Sequence, residues 1–131
     1  MANPTARKIL IVDGDQCIVD TLATIFSREG YEANAFTSVA QLLAVLTRWE
    51  PDFAFVDPHL TEVSGVEFAC ELRERFPACK ITLLATNIDQ LLDELSLCNR
   101  MFHILEKPVH PTVLLQTVWT AFPNMNTHPV N

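Results

Sequence analysis

Short, almost wholly apolar runs alternate along the chain with longer stretches in which apolar residues recur at helical spacing. KILIVD (8–13) predicts a strand buried on both faces, because a half-exposed strand would alternate polar and apolar positions. After it, Ile18, Leu22, Ile25 and Phe26 share one helical face that stops at Gly30, and YEANAF (31–36) predicts a weaker strand. Ser38 and Gln41 form a capping box for a helix carrying Leu42, Leu46 and Trp49, and Pro51 ends it ahead of the strand DFAFVD (52–57). Gly65 to Phe76 predicts a helix with Val66, Ala69, Leu72 and Phe76 inward. KITLLAT (80–86) then gives a fourth strand, and Ile88, Leu91, Leu92 and Leu95 a fourth helical stripe. FHILEK (102–107) is the fifth strand. Pro111 suits the first turn of a last helix whose Leu115, Val118, Trp119 and Phe122 share a face.

Five strand–helix pairs in strict alternation predict an α/β fold. Crossovers between parallel strands are right-handed, so the (βα)5 chain should form a doubly wound five-stranded parallel sheet of flavodoxin-like order 2-1-3-4-5. The expected divisions are an N-terminal extension over 1–6, one domain over 7–122, and a tail or linker start over 123–131.

Composition narrows the function. A net charge of −7 with no basic patch argues against direct nucleic-acid binding. The apolar runs are too short to span a bilayer and the N-terminus lacks a signal-peptide core, so a cytoplasmic protein without membrane association is expected. Cys17, Cys70, Cys79 and Cys98 form no CxxC pair and no ligand spacing with the histidines, which argues for reduced thiols rather than a zinc site or disulfides.

Doubly wound sheets place their chemistry at the carboxyl ends of the strands. Those ends carry Asp13 and Asp15, then Asp57, then Thr86 and Asn87, then Lys107. With the first and third strands adjacent, Asp13 and Asp57 stand side by side, and clustered carboxylates need a cation between them. Mg²⁺ meets that need with hard oxygen ligands, and Lys107 adds a positive charge. A carboxylate beside Mg²⁺, with a lysine and a hydroxyl to hold phosphoryl oxygens, is suited to phosphoryl transfer onto an aspartate; Asp57 is the best nucleophile, ending an apolar strand before a loop closed by Gly65.

ILIVDGD, DFAFVDPHLTEVSG, FPACKITLLAT and ILEKPV, in this order and at these gaps, resemble the receiver domains of bacterial two-component response regulators. The resemblance covers roughly residues 7 to 122 and implies a phosphorelay function without enzymatic turnover. It makes Asp57 the phosphoacceptor, Asp13 the first metal-binding acid, Lys107 the lysine on the phosphoryl group, and His59 the residue whose backbone carbonyl binds Mg²⁺. It also implies a cis Lys107–Pro108 bond, and signalling through a face that includes Arg100, Met101, Ile104 and Trp119; for Trp119 the shared stripe with Leu115 and Phe122 argues for core packing instead. The implied partners are a sensor histidine kinase or phosphotransfer protein, and a downstream effector or an appended output domain, with a homodimer also compatible.

The sequence departs from that family pattern at several places. Gly14 holds the position of the second acid, and Asp15, one step later, either reaches the metal across the glycine or caps the first helix. Capping is the preferred role, and weakened Mg²⁺ binding follows. Ala85 stands where the family has threonine or serine, leaving Thr86, the expected phosphoryl contact beside Lys107, one residue late and on the opposite strand face unless a shift at the strand end brings it back. Loss of that charge-assisted bond is worth roughly 1.5–3 kcal/mol, a tenfold to hundredfold weaker coupling of phosphorylation to conformation. Ile104 replaces the usual switch aromatic and Thr61 the usual loop proline. Two rivals remain: a phosphorylation-independent pseudo-receiver, favoured by Gly14 and Ala85, and a haloacid-dehalogenase-type phosphatase with Asp13 as nucleophile and Asp15 as general acid. The second lacks any later acidic motif, because nothing beyond Glu106 is acidic.

Overall fold

The five apolar segments become β1 (Lys8–Val12), β2 (Glu32–Phe36), β3 (Phe53–Val56), β4 (Lys80–Ala85) and β5 (His103–Glu106), all parallel, in the sheet order β2-β1-β3-β4-β5. Between and after them run α1 (Gln16–Arg28), α2 (Val39–Val45), α3 (Gly65–Arg75), α4 (Ile88–Cys98) and α5 (Pro111–Ala121). This computed structural model describes residues 6–61, 63–98 and 101–123, with Cys98 described by its backbone alone. Apart from Ala6 and Pro123, the extension and the tail expected from the sequence lie outside the described residues, as does Arg100.

Alternation along the strands sorts the apolar residues into two cores. Leu10, Val12, Ala54, Val56, Leu83 and Ala85 face α2, α3 and α4, whereas Ile9, Ile11, Phe53, Phe55 and Leu84 face α1 and α5. Both faces are covered, which explains why β3 at the centre is wholly apolar and β1 is apolar after Lys8. Each fully buried Leu, Ile or Phe here contributes about 1.5–3 kcal/mol relative to exposure.

Three expectations need correction. α2 ends at Val45 and does not extend to Trp49, because Arg75 donates to the Leu46 carbonyl and the Thr47 hydroxyl to that of Ala44, satisfying the last carbonyls of a short helix. Trp49 still packs against the core and its indole N–H donates to Glu32. Ser38 occupies the N-cap of α2 but makes no side-chain capping bond. Leu92 is 49% exposed: α4 buries Leu91 and Leu95, an i, i+4 pair, over the narrow edge made by a four-residue β5, and Leu92 lies about 100° around the helix from Leu91.

Candidate phosphoryl-acceptor site

The ladder brings the polar strand ends together. The Asp13 amide donates to the Phe36 carbonyl at 3.1 Å, the Asp57 amide to Val12 at 2.9 Å, and the Lys107 amide to Ala85 at 2.8 Å, so each strand end is pinned to its neighbour. Asp13 and Asp57 thereby project beside one another, although 44 residues separate them.

Lys107 lies between them. Its Nζ donates to Asp13 Oδ2 at 2.6 Å and to Asp57 Oδ2 at 3.2 Å. The remaining oxygens also have donors: Asp13 Oδ1 accepts the Asp15 amide at 3.0 Å, and Asp57 Oδ1 the His59 amide at 2.8 Å. All four carboxylate oxygens are hydrogen-bonded, which offsets the desolvation of Asp13 at 2% exposure. Burial alone would lower the Lys107 pKa, but the hydrogen bond and charge of Asp13, then those of Asp57, outweigh it and raise the pKa. The Lys107–Pro108 peptide is cis, and it turns the chain from β5 into α5.

The loop after Asp57 is held by a close backbone approach. A Cβ on Gly65 would stand 2.0 Å from the Asp57 carbonyl oxygen and 2.6 Å from Pro58 Cα, so only glycine lets α3 start against the acceptor. The Gly65 amide donates to the Pro58 carbonyl at 3.0 Å, and Ser64 caps α3 by accepting from Glu67.

Asp15 is the N-cap of α1, where Oδ1 accepts the Cys17 amide at 2.9 Å and the Ile18 amide at 3.4 Å. That is the capping role preferred for Asp15 from the sequence. No group of three or more His, Cys, Asp and Glu residues among the described residues is arranged to hold a metal. The carboxylates that do converge are those of Asp13 and Asp57, joined through Lys107. This hard-oxygen set suits Mg²⁺, which is commonly held by one or two carboxylates and completed by water.

Ala85 is fully buried on the α2–α4 side, and Thr86 follows the end of β4, exposed, lining the groove that Lys107, Cys17 and Pro108 also line. The hydroxyl has moved to the opposite face, as the alternation of a strand requires. Of the residues expected on a signalling face, Met101 is 86% exposed and Ile104 packs against the core. Trp119 is half-buried and belongs to neither core cluster, and its indole N–H is buried without a hydrogen-bond partner among the described residues.

One contact had no signal in the sequence. His59, expected to act through its carbonyl, also places Nε2 3.3 Å from Glu94 Oε1 on α4. Two polar residues 35 positions apart, on a loop and on the outside of a helix, leave no periodic trace.

The family model of the response regulator receiver domain matches residues 9–119. The chain is 33% identical over 78 residues to the photosynthetic apparatus regulatory protein RegA of Cereibacter sphaeroides; the match covers 60% of this chain and 42% of that protein, less than half its length. Among solved structures, a CheY-like receiver domain protein from Methanospirillum hungatei superposes with a TM-score of 0.79 at 26% identity, covering 88% of this chain and 93% of that one. A response regulator from Burkholderia pseudomallei, solved with a phosphorylated aspartic acid and a calcium ion, has a TM-score of 0.73 at 20% identity over 91% of this chain and 75% of its own. With the sheet order, the strand-end acids and the family match over most of its length, this chain belongs to the response regulator receiver domains, the signalling modules of two-component phosphorelays.

Proposed function

We propose that Asp57 is the phosphoacceptor, taking a phosphoryl group from a sensor histidine kinase or a phosphotransfer protein. The observation that carries this reading is Lys107 bridging Asp13 and Asp57 at 2.6 and 3.2 Å, a preformed cation at the point where phosphoryl oxygens would arrive. In the transfer an Asp57 carboxylate oxygen attacks phosphorus, the bond to the donor's leaving group breaks, and Lys107 turns from the carboxylates toward the incoming oxygens. The His59 amide holds Asp57 in place.

Receiver domains typically bind Mg²⁺ at this site. In this chain Asp13, Asp57 and the His59 carbonyl would hold it, with water in the place that Gly14 leaves empty. When bound, the ion supplies charge neutralisation for the transferring phosphoryl group. Thr86 offers a hydroxyl from the wrong face, so Lys107 carries most of the phosphoryl contact. Receiver domains are generally non-enzymatic signalling modules, and we assign this chain no turnover of its own.

The domain proper is taken as 7–122, flanked by an extension and a tail. No helix among the described residues is long and apolar enough to cross a membrane, in keeping with a cytoplasmic role. The output runs to a protein effector, an appended output domain or a second copy rather than directly to nucleic acid, as the charge of −7 favours. Met101, Ile104 and Trp119, with Arg100, belong to the face we assign to that output.

Intact mass after incubation with acetyl phosphate tests the reading. A phosphoryl adduct that requires Mg²⁺ and disappears in Asp57→Asn is expected. Its absence under every condition would replace phosphorylation with a binding-only module, and an adduct that survives in Asp57→Asn would move the acceptor to Asp13.

A further inference from the structure

The phosphoryl site of this chain lacks two parts that could carry its state outward: Ala85 offers no hydroxyl to a phosphoryl group, and Ile104 is an aliphatic side chain packed into the core. Another polar connection leaves the site. The His59 amide donates to Asp57 Oδ1 at 2.8 Å, while the His59 ring stands 3.3 Å from Glu94 Oε1 on α4. A carboxylate only accepts, so Nε2 is the protonated nitrogen and donates. One residue therefore touches the acceptor through its backbone and α4 through its ring.

The helix at the far end is loosely held. Over residues 88–97 of α4 only Leu91 and Leu95 are fully buried, and Leu92 and Leu97 are 49% and 89% exposed. The N-terminal turn begins at Asn87, whose side chain accepts from the Gln90 amide, directly after the Ala85–Thr86 strand end. Few buried contacts give a segment a low cost of rearrangement.

We propose that His59 and Glu94 form the relay that couples phosphorylation of Asp57 to the position of α4. The inference rests on the phosphoacceptor reading above and supplies its regulation. A phosphoryl group on Asp57 brings a charge approaching −2 and three strong acceptor oxygens to the loop that carries His59. That group attracts the imidazole N–H and repels the Glu94 carboxylate, so both effects open the contact. Both side chains are 38% exposed, and such a pair biases a two-state equilibrium by roughly 1.5- to 5-fold, small enough for a neighbouring dianion to overturn.

Amide NMR spectra of the wild type, His59→Asn and Glu94→Ala, with and without beryllofluoride in excess Mg²⁺, test the relay. In the wild type the phosphoryl mimic should shift amides around Asp57 and Lys107 together with those of α4. Glu94→Ala should displace the α4 amides toward their activated positions without the mimic. In His59→Asn the α4 response should fall by at least half relative to that of the site amides in the same spectrum. An α4 response equal to the wild type in both variants would overturn the relay and leave the acceptor assignment standing. A wild-type spectrum in which amides near Asp57 do not respond would overturn the acceptor assignment, and the relay with it. Both substituted side chains lie at the surface, so neither change threatens the fold.

Discussion

Replacing Gly14 with aspartate tests whether this site is short of one metal-binding carboxylate. Gly14 is exposed, and a Cβ added there meets nothing within 4 Å, so Gly14→Asp introduces charge without a steric cost. With Asp13, Asp57 and Lys107 the site carries a formal charge of about −1, and the substitution makes it about −2. A monovalent anion about 4 Å from a divalent cation gains about 2 kcal/mol in a water-like dielectric, the appropriate limit for an exposed position. Magnesium affinity should rise about 30-fold on that basis. Without metal the new carboxylate opposes Asp13 and Asp57 by about 1 kcal/mol, which lowers the Tm of a chain this size by about 3 °C. Calorimetric titration with Mg²⁺ and thermal unfolding in chelator measure the two arms. Affinity within twofold of the wild type would show that Gly14 is not the missing ligand position. A higher Tm in chelator would show that the site tolerates more negative charge than its single lysine implies.

Gly65→Ala places a methyl group into the Asp57 carbonyl and Pro58, so a loss of about 1–3 kcal/mol in urea unfolding is expected, with slower acetyl phosphate labelling; unchanged labelling would mean that the loop yields without moving the acceptor. Ala85→Ser returns a hydroxyl to the buried face at little volume and should strengthen the NMR response of α4 to beryllofluoride by about tenfold in population, provided that the hydroxyl reaches the phosphoryl group. Lys107→Met leaves Asp13 and Asp57 without their cation and should cost about 3 kcal/mol of stability. The folded pKa of Lys107 is raised above 10.5, so the lysine's contribution is fully present below that pH and is lost as pH rises through the folded value. The Tm gap between wild type and Lys107→Met should therefore hold steady from neutral pH to about 10 and close above it; a gap that widens with alkali would contradict the ion-pair assignment.

The inner strands β1, β3 and β4 were legible because burial on both faces leaves mostly apolar runs too short for a helix, and the site was legible because the topology puts the strand ends on one rim. Asp13, Asp57 and Lys107 needed only the strand order to be brought together. Helix faces and ends were less legible. The stripe of Ile88, Leu91, Leu92 and Leu95 does not reveal how narrow a surface α4 covers, which is why Leu92 emerges exposed. The spacing of Leu42, Leu46 and Trp49 suits a longer α2, but the last carbonyls are claimed by Arg75 and Thr47, a tertiary choice that local periodicity does not encode. The contact of His59 with Glu94 depends wholly on how α4 docks.

The carboxylate that caps α1 has a consequence for kinetics. Asp15 Oδ1 protects the amides of Cys17 and Ile18, and removing such a cap costs about 1 kcal/mol of helix stability. A cation that drew Oδ1 away from the helix would unprotect those two amides, and the first turn of the helix covering Val19, Leu22 and Phe26 would fray. Ligation through Oδ1 and helix initiation thus exclude one another. Hydrogen exchange at residues 17 and 18 becomes a local gauge of how often the rim opens, even where the rest of the sheet exchanges only through global unfolding.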